Sequence, residues 1–125
     1  MISNTKLMGF AAITDVARAR DFYETALGLR FIGDDGYALV MASGANIVRL
    51  QKMQTHAPLP FTVLGWQVDD IRAAVRDLAS RGVQFERYEF LPQDELGVWE
   101  AGDDRVAWFK DPDGNLLSLA QLGQP

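Results

Sequence analysis

Arg49 is the side chain that most needs a chemical partner. It sits inside the apolar run Asn46-Ile47-Val48-Arg49-Leu50, and a guanidinium placed among apolar neighbours is costly to bury unless a carboxylate, a phosphate or a ring faces it. Two sources would satisfy it: an Asp or Glu of the chain, giving a structural ion pair, or an anionic or planar group on a ligand. Trp99 is the second candidate. It lies in a stretch of mixed polarity, residues 86–100, that contains the turn former Pro92 and reads as a flap or arm. A tryptophan there stacks on a flat ligand, on a partner subunit or on the arm itself. Glu86, Glu89, Asp94, Glu95 and Glu100 surround it, either as a solvated acidic face or as an attraction for a cationic ligand.

Other chemistry is excluded by what is missing. With no cysteine there is no disulfide, thiolate nucleophile, zinc-thiolate site or iron–sulfur cluster. The one imidazole, His56, precedes Pro58 and Pro60, in what reads as a linker or a cavity rim, and a Ser-His-Asp triad would have to use it. The run Asp111-Pro112-Asp113-Gly114-Asn115 looks like the start of a calcium loop, but its twelfth position is Leu122 rather than Glu, so it is a turn. No GxxxxGK or GxGxxG phosphate loop is present. A net charge of −5 and a pI near 4.7 argue against nucleic acid or an anionic membrane as partner. The apolar stretch at residues 7–13 is too short for a secretory signal, and no run approaches a membrane span; the expected location is cytoplasmic.

The chain has 125 residues, 48% hydrophobic and 23% charged, the size and composition of one globular domain. An internal repeat organises it. Residues 13–16 align with 68–71, residues 28–31 with 82–85, and residues 46–50 with 115–119, so the second copy carries extra residues near 86–100. In each copy a strand leads into a helix. Ile71, Ala74, Val75, Leu78 and Ala79 form one apolar helical stripe, and Val16, Ala19, Phe22, Tyr23, Ala26 and Leu27 form its counterpart. Asp15, and Asp69 or Asp70, stand where a helix N-terminus needs a cap, and Gly28 and Gly82 where it ends. Three short strands follow each helix: 30–33, 37–41 and 46–51, then 84–88, 105–110 and 115–121. The expected fold is α+β, two βαβββ modules at about residues 7–52 and 61–122 joined by a linker at 53–60.

This arrangement, with TDVARARDFYETALGL at residues 14–29 and DPDGNLLSLAQ at residues 111–121, resembles the vicinal oxygen chelate superfamily. Glyoxalase I, extradiol dioxygenases and bleomycin resistance proteins belong to it. The resemblance spans roughly residues 7–122. It implies that each module curls into half of a cup, with helices on the outer face and a small-molecule ligand held inside a homodimer. Metal-dependent members draw ligands from four strand positions, which fall here on Met8, Arg49, Val63 and Ser118. A thioether, a guanidinium, an isopropyl group and a hydroxyl are no ligand set for a divalent cation, so neither metal nor other cofactor is expected.

Strand residues of the same parity as those four positions face the cup. They include Met8 and Phe10, Arg49 and Gln51, Gly65 and Gln67, and Ser118 and Ala120. The candidate ligand-binding residues are therefore Arg49, Gln67, Ser118, Met8, Phe10 and Trp99, with Gln67 and Ser118 bonding either a ligand or trapped water. The resemblance points first to a metal-independent binding protein of the bleomycin resistance kind. The alternative is a lyase or isomerase related to glyoxalases and dioxygenases, with an unrecognised site drawing on Glu86, Tyr88 or Glu100. A third reading is a structural dimer whose cavity holds nothing.

Overall fold

The computed structural model describes residues 1–123. Strand β1 (Met8–Ile13) leads into helix α1 (Val16–Arg20), which widens into a π-helical segment, Asp21–Ala26. Strands β2 (Arg30–Asp34), β3 (Ala38–Ser43) and β4 (Asn46–Lys52) complete the first unit. The second unit runs β5 (Leu64–Gln67), α2 (Ile71–Ser80), β6 (Trp99–Ala101), β7 (Asp104–Lys110) and β8 (Leu116–Gln121). Each unit forms its own four-stranded mixed sheet, ordered β1-β4-β3-β2 and β5-β8-β7-β6, with the first strand parallel to the last. The fold is thus the α+β duplication expected from the repeat.

The duplication extends to register. Gly9 pairs with Val48 as Leu64 pairs with Leu117, and Met41 pairs with Val48 as Phe109 pairs with Leu117. The helices are built alike. Asp15 accepts from the Arg18 amide at 3.0 Å and Asp70 from the Ala73 amide at 3.1 Å, each filling an orphan donor of the first turn. Gly28 and Gly82, at φ of +76° and +93°, take the left-handed conformation that ends each helix.

One strand differs from the sequence expectation. Residues 84–88 form no strand; only Phe85 bridges to Phe109, and the outer partner of β7 is Trp99–Ala101. The intervening segment satisfies its backbone with side chains instead. Gln93 accepts from the Tyr88 amide and donates to the carbonyls of Glu86 and Gly97, while Asp94 accepts from the amides of Leu96 and Val98. Arg87 donates to the carbonyls of Asp94 and Glu95.

A single apolar core joins both units. One face of each sheet (Val48 and Leu50; Leu117 and Leu119) shares it with Ala19 and Tyr23 of the first helical segment and with Ile71, Val75 and Leu78 of α2. The opposite strand faces lie outside that core, and Met8 and Phe10 are about half exposed, at 50% and 51%. Among the described residues, no helix is long and apolar enough to cross a membrane.

Buried polar contacts lock the two units together through the 111–115 turn. Tyr23 donates its phenol to Asp111 at 2.6 Å. Asn115 donates to the carbonyl of Ala12 and to Asp111, each at 2.8 Å. The Asn115 side-chain oxygen Oδ1 also lies 2.6 Å from Nε2 of His56. Asp113, whose side chain is 3% exposed, accepts from the amide and hydroxyl of Thr14 and from Arg18. Burial first, and then the Asp111 carboxylate beside it, push the Tyr23 phenol above its ordinary range, so it remains a donor. Replacing Tyr23 with Phe leaves the cavity filled and removes one bond to a buried carboxylate. The expected loss is about 1–2 kcal/mol of unfolding free energy, read by urea denaturation; an unchanged midpoint would show that this bond does not hold the units together.

Candidate functional site

Strand register sorts the candidate residues into two groups. On the first sheet Phe10, Arg49 and Val40 stand in one cross-strand row, beside the row Met8, Ile47 and Ala42. On the second sheet Gly65, Ser118 and Trp108 form one row, and Gln67, Ala120, Val106 and Trp99 the next. Met8, Phe10 and Arg49 therefore share one sheet face, while Gln67, Ser118 and Trp99 share a face of the other sheet. The alternation of strand side chains places all six away from the common core.

Arg49 has a partner within the chain. Its Nη2 lies 2.5 Å from Oδ2 of Asp35, in the β2–β3 turn, where the other Asp35 oxygen accepts from the amides of Tyr37 and Ala38 at 2.9 Å. The Arg49 guanidinium, foremost, and those amides hold the Asp35 carboxyl down at about 2. Arg49 is thus oriented by an ion pair, the first of the two sources named for it. Its side chain keeps 25% of its accessibility.

The second sheet carries an aromatic surface. Trp99 and Trp108 lie with ring centroids 5.9 Å apart, and Tyr88 meets Trp108 edge-on at 5.7 Å. Phe90, 80% exposed, extends the group from Tyr88 at 5.5 Å. Beside Trp108, Ser118 is buried against Gly65; a Cβ at Gly65 would come within 2.8 Å of the Ser118 hydroxyl oxygen, so only glycine leaves that hydroxyl its space. Trp66 and Phe109, by contrast, face the core, where Trp66 donates to Ser43 at 2.9 Å. Trp108 and Phe90 were not among the candidates read from the sequence, and Tyr88 entered there only as a group for an alternative catalytic site. The register of the β7–β8 hairpin places Trp108 directly across from Ser118 and is the signal that finds it.

The acidic residues around the arm are largely neutralised. Asp94 and Glu100 both pair with Arg72, Glu100 also with Arg105, and Glu86 with Lys110. Arg72, and then Arg105, hold the Glu100 carboxyl below its usual range. Desolvation, and secondarily Glu86, raise the Tyr88 phenol above its usual range. His56 lies in the inter-unit contact with Asn115. The four positions to which the resemblance assigns metal ligands carry Met8, Arg49, Val63 and Ser118. That donor set does not fit a divalent ion, and among the described residues no group of three or more His, Cys, Asp or Glu converges elsewhere.

The duplicated βαβββ architecture and its two free sheet faces define a class of small-molecule-binding and metal-chelating scaffolds. The chain belongs to the Glyoxalase/Bleomycin resistance protein/Dioxygenase superfamily, whose family model matches residues 9–119. Solved structures agree on the fold. A glyoxalase family protein from Bacillus anthracis superposes with a TM-score of 0.75 at 15% identity, covering 96% of both chains. TnmS3, an antibiotic binding protein from Streptomyces sp. CB03234, gives 0.75 at 24% identity over 98% of this chain and 99% of its own. A glyoxalase/bleomycin resistance protein from the same Streptomyces gives 0.68 at 25% identity, over 94% of this chain and all (100%) of its own. A search of curated proteins returns no significant match.

The Asp35–Arg49 pair has a definite acid signature. Because folding lowers the Asp35 pKa to about 2 from about 4, its stabilisation is fully present above the unfolded value and is lost as pH falls through the folded one. Asp35→Asn should therefore lower the melting temperature at pH 6 and converge on the wild type as pH falls to about 2. A difference that persists undiminished would show that the ion pair is not its source.

Proposed function

We propose that this protein binds and sequesters a flat, largely apolar small molecule without using a metal ion. The observation that carries this reading is the Trp99–Trp108–Tyr88 surface, on the same sheet face as Ser118 and Gln67. Stacked rings supply affinity through buried area and dispersion, and a few neutral polar groups supply orientation, which is the usual division of labour in small-molecule sites. TnmS3, an antibiotic binding protein with the same fold, supports the reading by analogy.

The cup is completed by a second copy of the chain. Met8, Phe10, Ile32 and Met53 are each 45–51% exposed, apolar surface that a second copy would cover. In a homodimer the aliphatic face of one subunit's first sheet would oppose the aromatic face of its partner's second sheet. Arg49, held by Asp35, would then present its remaining donors at the rim.

A thermal-shift screen against polycyclic aromatic antibiotics tests the ligand, since a compound that binds only the folded protein must raise its melting temperature. A hit should survive chelator, and Trp108→Ala should weaken it about fivefold or more, a stack being worth about 1 kcal/mol. Turnover of a hemithioacetal or catechol that needs added divalent metal would overturn the proposal. Light scattering tests the assembly: the expected mass is twice 13.9 kDa, and Phe10→Asp should yield monomers. A wild-type monomer at micromolar concentration would overturn the two-chain cup.

A further inference from the structure

The core side of the sheets contains a second candidate site, independent of the cup. A cavity of about 500 Å³ opens between α2 and the β3–β4 turn, a volume ordinary for small-molecule sites. Its apolar walls include Leu29, Trp66, Leu78 and Phe109. Close-packed interiors leave few voids of that size, so its origin needs an explanation.

The duplication supplies one. Ser43 pairs with Asn46 at the point in the first sheet where the Asp111 amide bonds the Asn115 carbonyl in the second, so Ser43 is the counterpart of Asp111. With α1 and α2 aligned on their capping residues Asp15 and Asp70, the counterparts of Phe22 and Tyr23 are Asp77 and Leu78. On one side of the molecule Phe22 stacks against Tyr23 and Phe109, and Tyr23 reaches Asp111. What remains there is a smaller depression of about 280 Å³ beside Phe22 and Asp111. On the other side an aspartate and a leucine replace the two rings, and the larger cavity is the space those rings do not fill.

The charges at the mouth select the occupant. Arg30 borders the cavity and, among the described residues, has no acidic partner; Gln84 is its neutral counterpart. Asp77 also borders it, but is already paired with Arg81 at 3.3 Å. Two cations against one carboxylate leave a single unbalanced positive charge beside an apolar chamber. We propose that this cavity binds a small monocarboxylate with an apolar body, its carboxylate on Arg30 and its hydrocarbon against Trp66 and Val68. A dianion such as a phosphate monoester would leave a negative charge uncompensated beside Asp77.

Calorimetric titration of the full chain with hexanoate, octanoate, decanoate and octylamine tests this. Saturable binding of one carboxylate per chain is expected, tightening about threefold to fourfold for each methylene added, with octylamine much weaker. Arg30→Ala, at an exposed position, should weaken octanoate about tenfold while leaving the melting temperature of the free protein unchanged. Ala74→Leu, which puts two branches into the cavity, should abolish binding; should that variant not fold, Arg30→Ala still decides. In a nitrogen–proton spectrum the indole N–H of Trp66 should move with octanoate, and those of Trp99 and Trp108 should not. Absence of saturable binding, equal affinity for octylamine, insensitivity to Arg30→Ala, or shifts confined to Trp99 and Trp108 would each overturn the proposal. None of these readouts depends on the aromatic face, so this site and the proposed cup stand or fall separately.

Discussion

Two buried carboxylates in one turn hold the molecule in its shape. Asp111 and Asp113 project from the β7–β8 turn and take their hydrogen bonds from Tyr23, Thr14 and Arg18 of the other unit, while Asn115 reaches the Ala12 carbonyl. Carboxylates withdrawn from water must find donors or lose their charge, so the end of β1, the first helical segment and this turn are held in one arrangement. That arrangement puts both helices against a shared core and leaves the opposite faces of the two sheets outside it. Everything said about the candidate sites follows from which face lies where.

Shared register of the three inner strands, with different side chains, gives the two sheets unlike outer faces. On the outer face of the first sheet the rows read Met8, Ile47 and Ala42, then Phe10, Arg49 and Val40; on the second, Gly65, Ser118 and Trp108, then Gln67, Ala120, Val106 and Trp99. The first is aliphatic with one oriented cation, the second aromatic with neutral polar groups. The same divergence operates inside the molecule: two rings and a carboxylate seal one inter-unit contact, and Asp77, Leu78 and Ser43 leave its counterpart open.

Local rules made much of this legible in the sequence. Caps at Asp15 and Asp70, glycine stops at Gly28 and Gly82, apolar stripes and strand parity all act over a few residues, and they fix the α+β duplication and the face on which Met8, Phe10, Arg49, Gln67 and Ser118 lie. What escaped depends on contacts distant in sequence or on one side chain outcompeting a strand. Residues 84–88 carry a strand pattern, but Gln93 and Asp94 capture the neighbouring backbone groups. Arg49 needed a partner, an acid of the chain or a group on a ligand, and the sequence left that open because the answer lies in how the β2–β3 turn presents Asp35. The 111–115 turn was recognisable as a turn, yet its partners lie in the first unit, far back along the chain. Trp108 was within reach: given Ser118 on the outer face, the hairpin register across that turn fixes its position.

Metal binding and aromatic binding make different demands on a strand surface. A divalent cation needs several hard oxygen or imidazole donors converging on one point and disfavours a guanidinium there. At the positions the resemblance assigns to such donors, Arg49 is held by Asp35, and Met8 and Val63 offer no lone pairs of the required kind. Restoring chelation would take at least three simultaneous changes, and an acid placed beside Arg49 would compete with Asp35 before it could serve a metal. An aromatic surface makes no such demand, since rings at Trp99, Trp108 and Tyr88 gain from area and edge-to-face geometry alone and tolerate a nearby cation. With Arg49 rather than an acid on the first sheet, shape and stacking around Ser118 are the terms on which the proposed cup would choose its occupant.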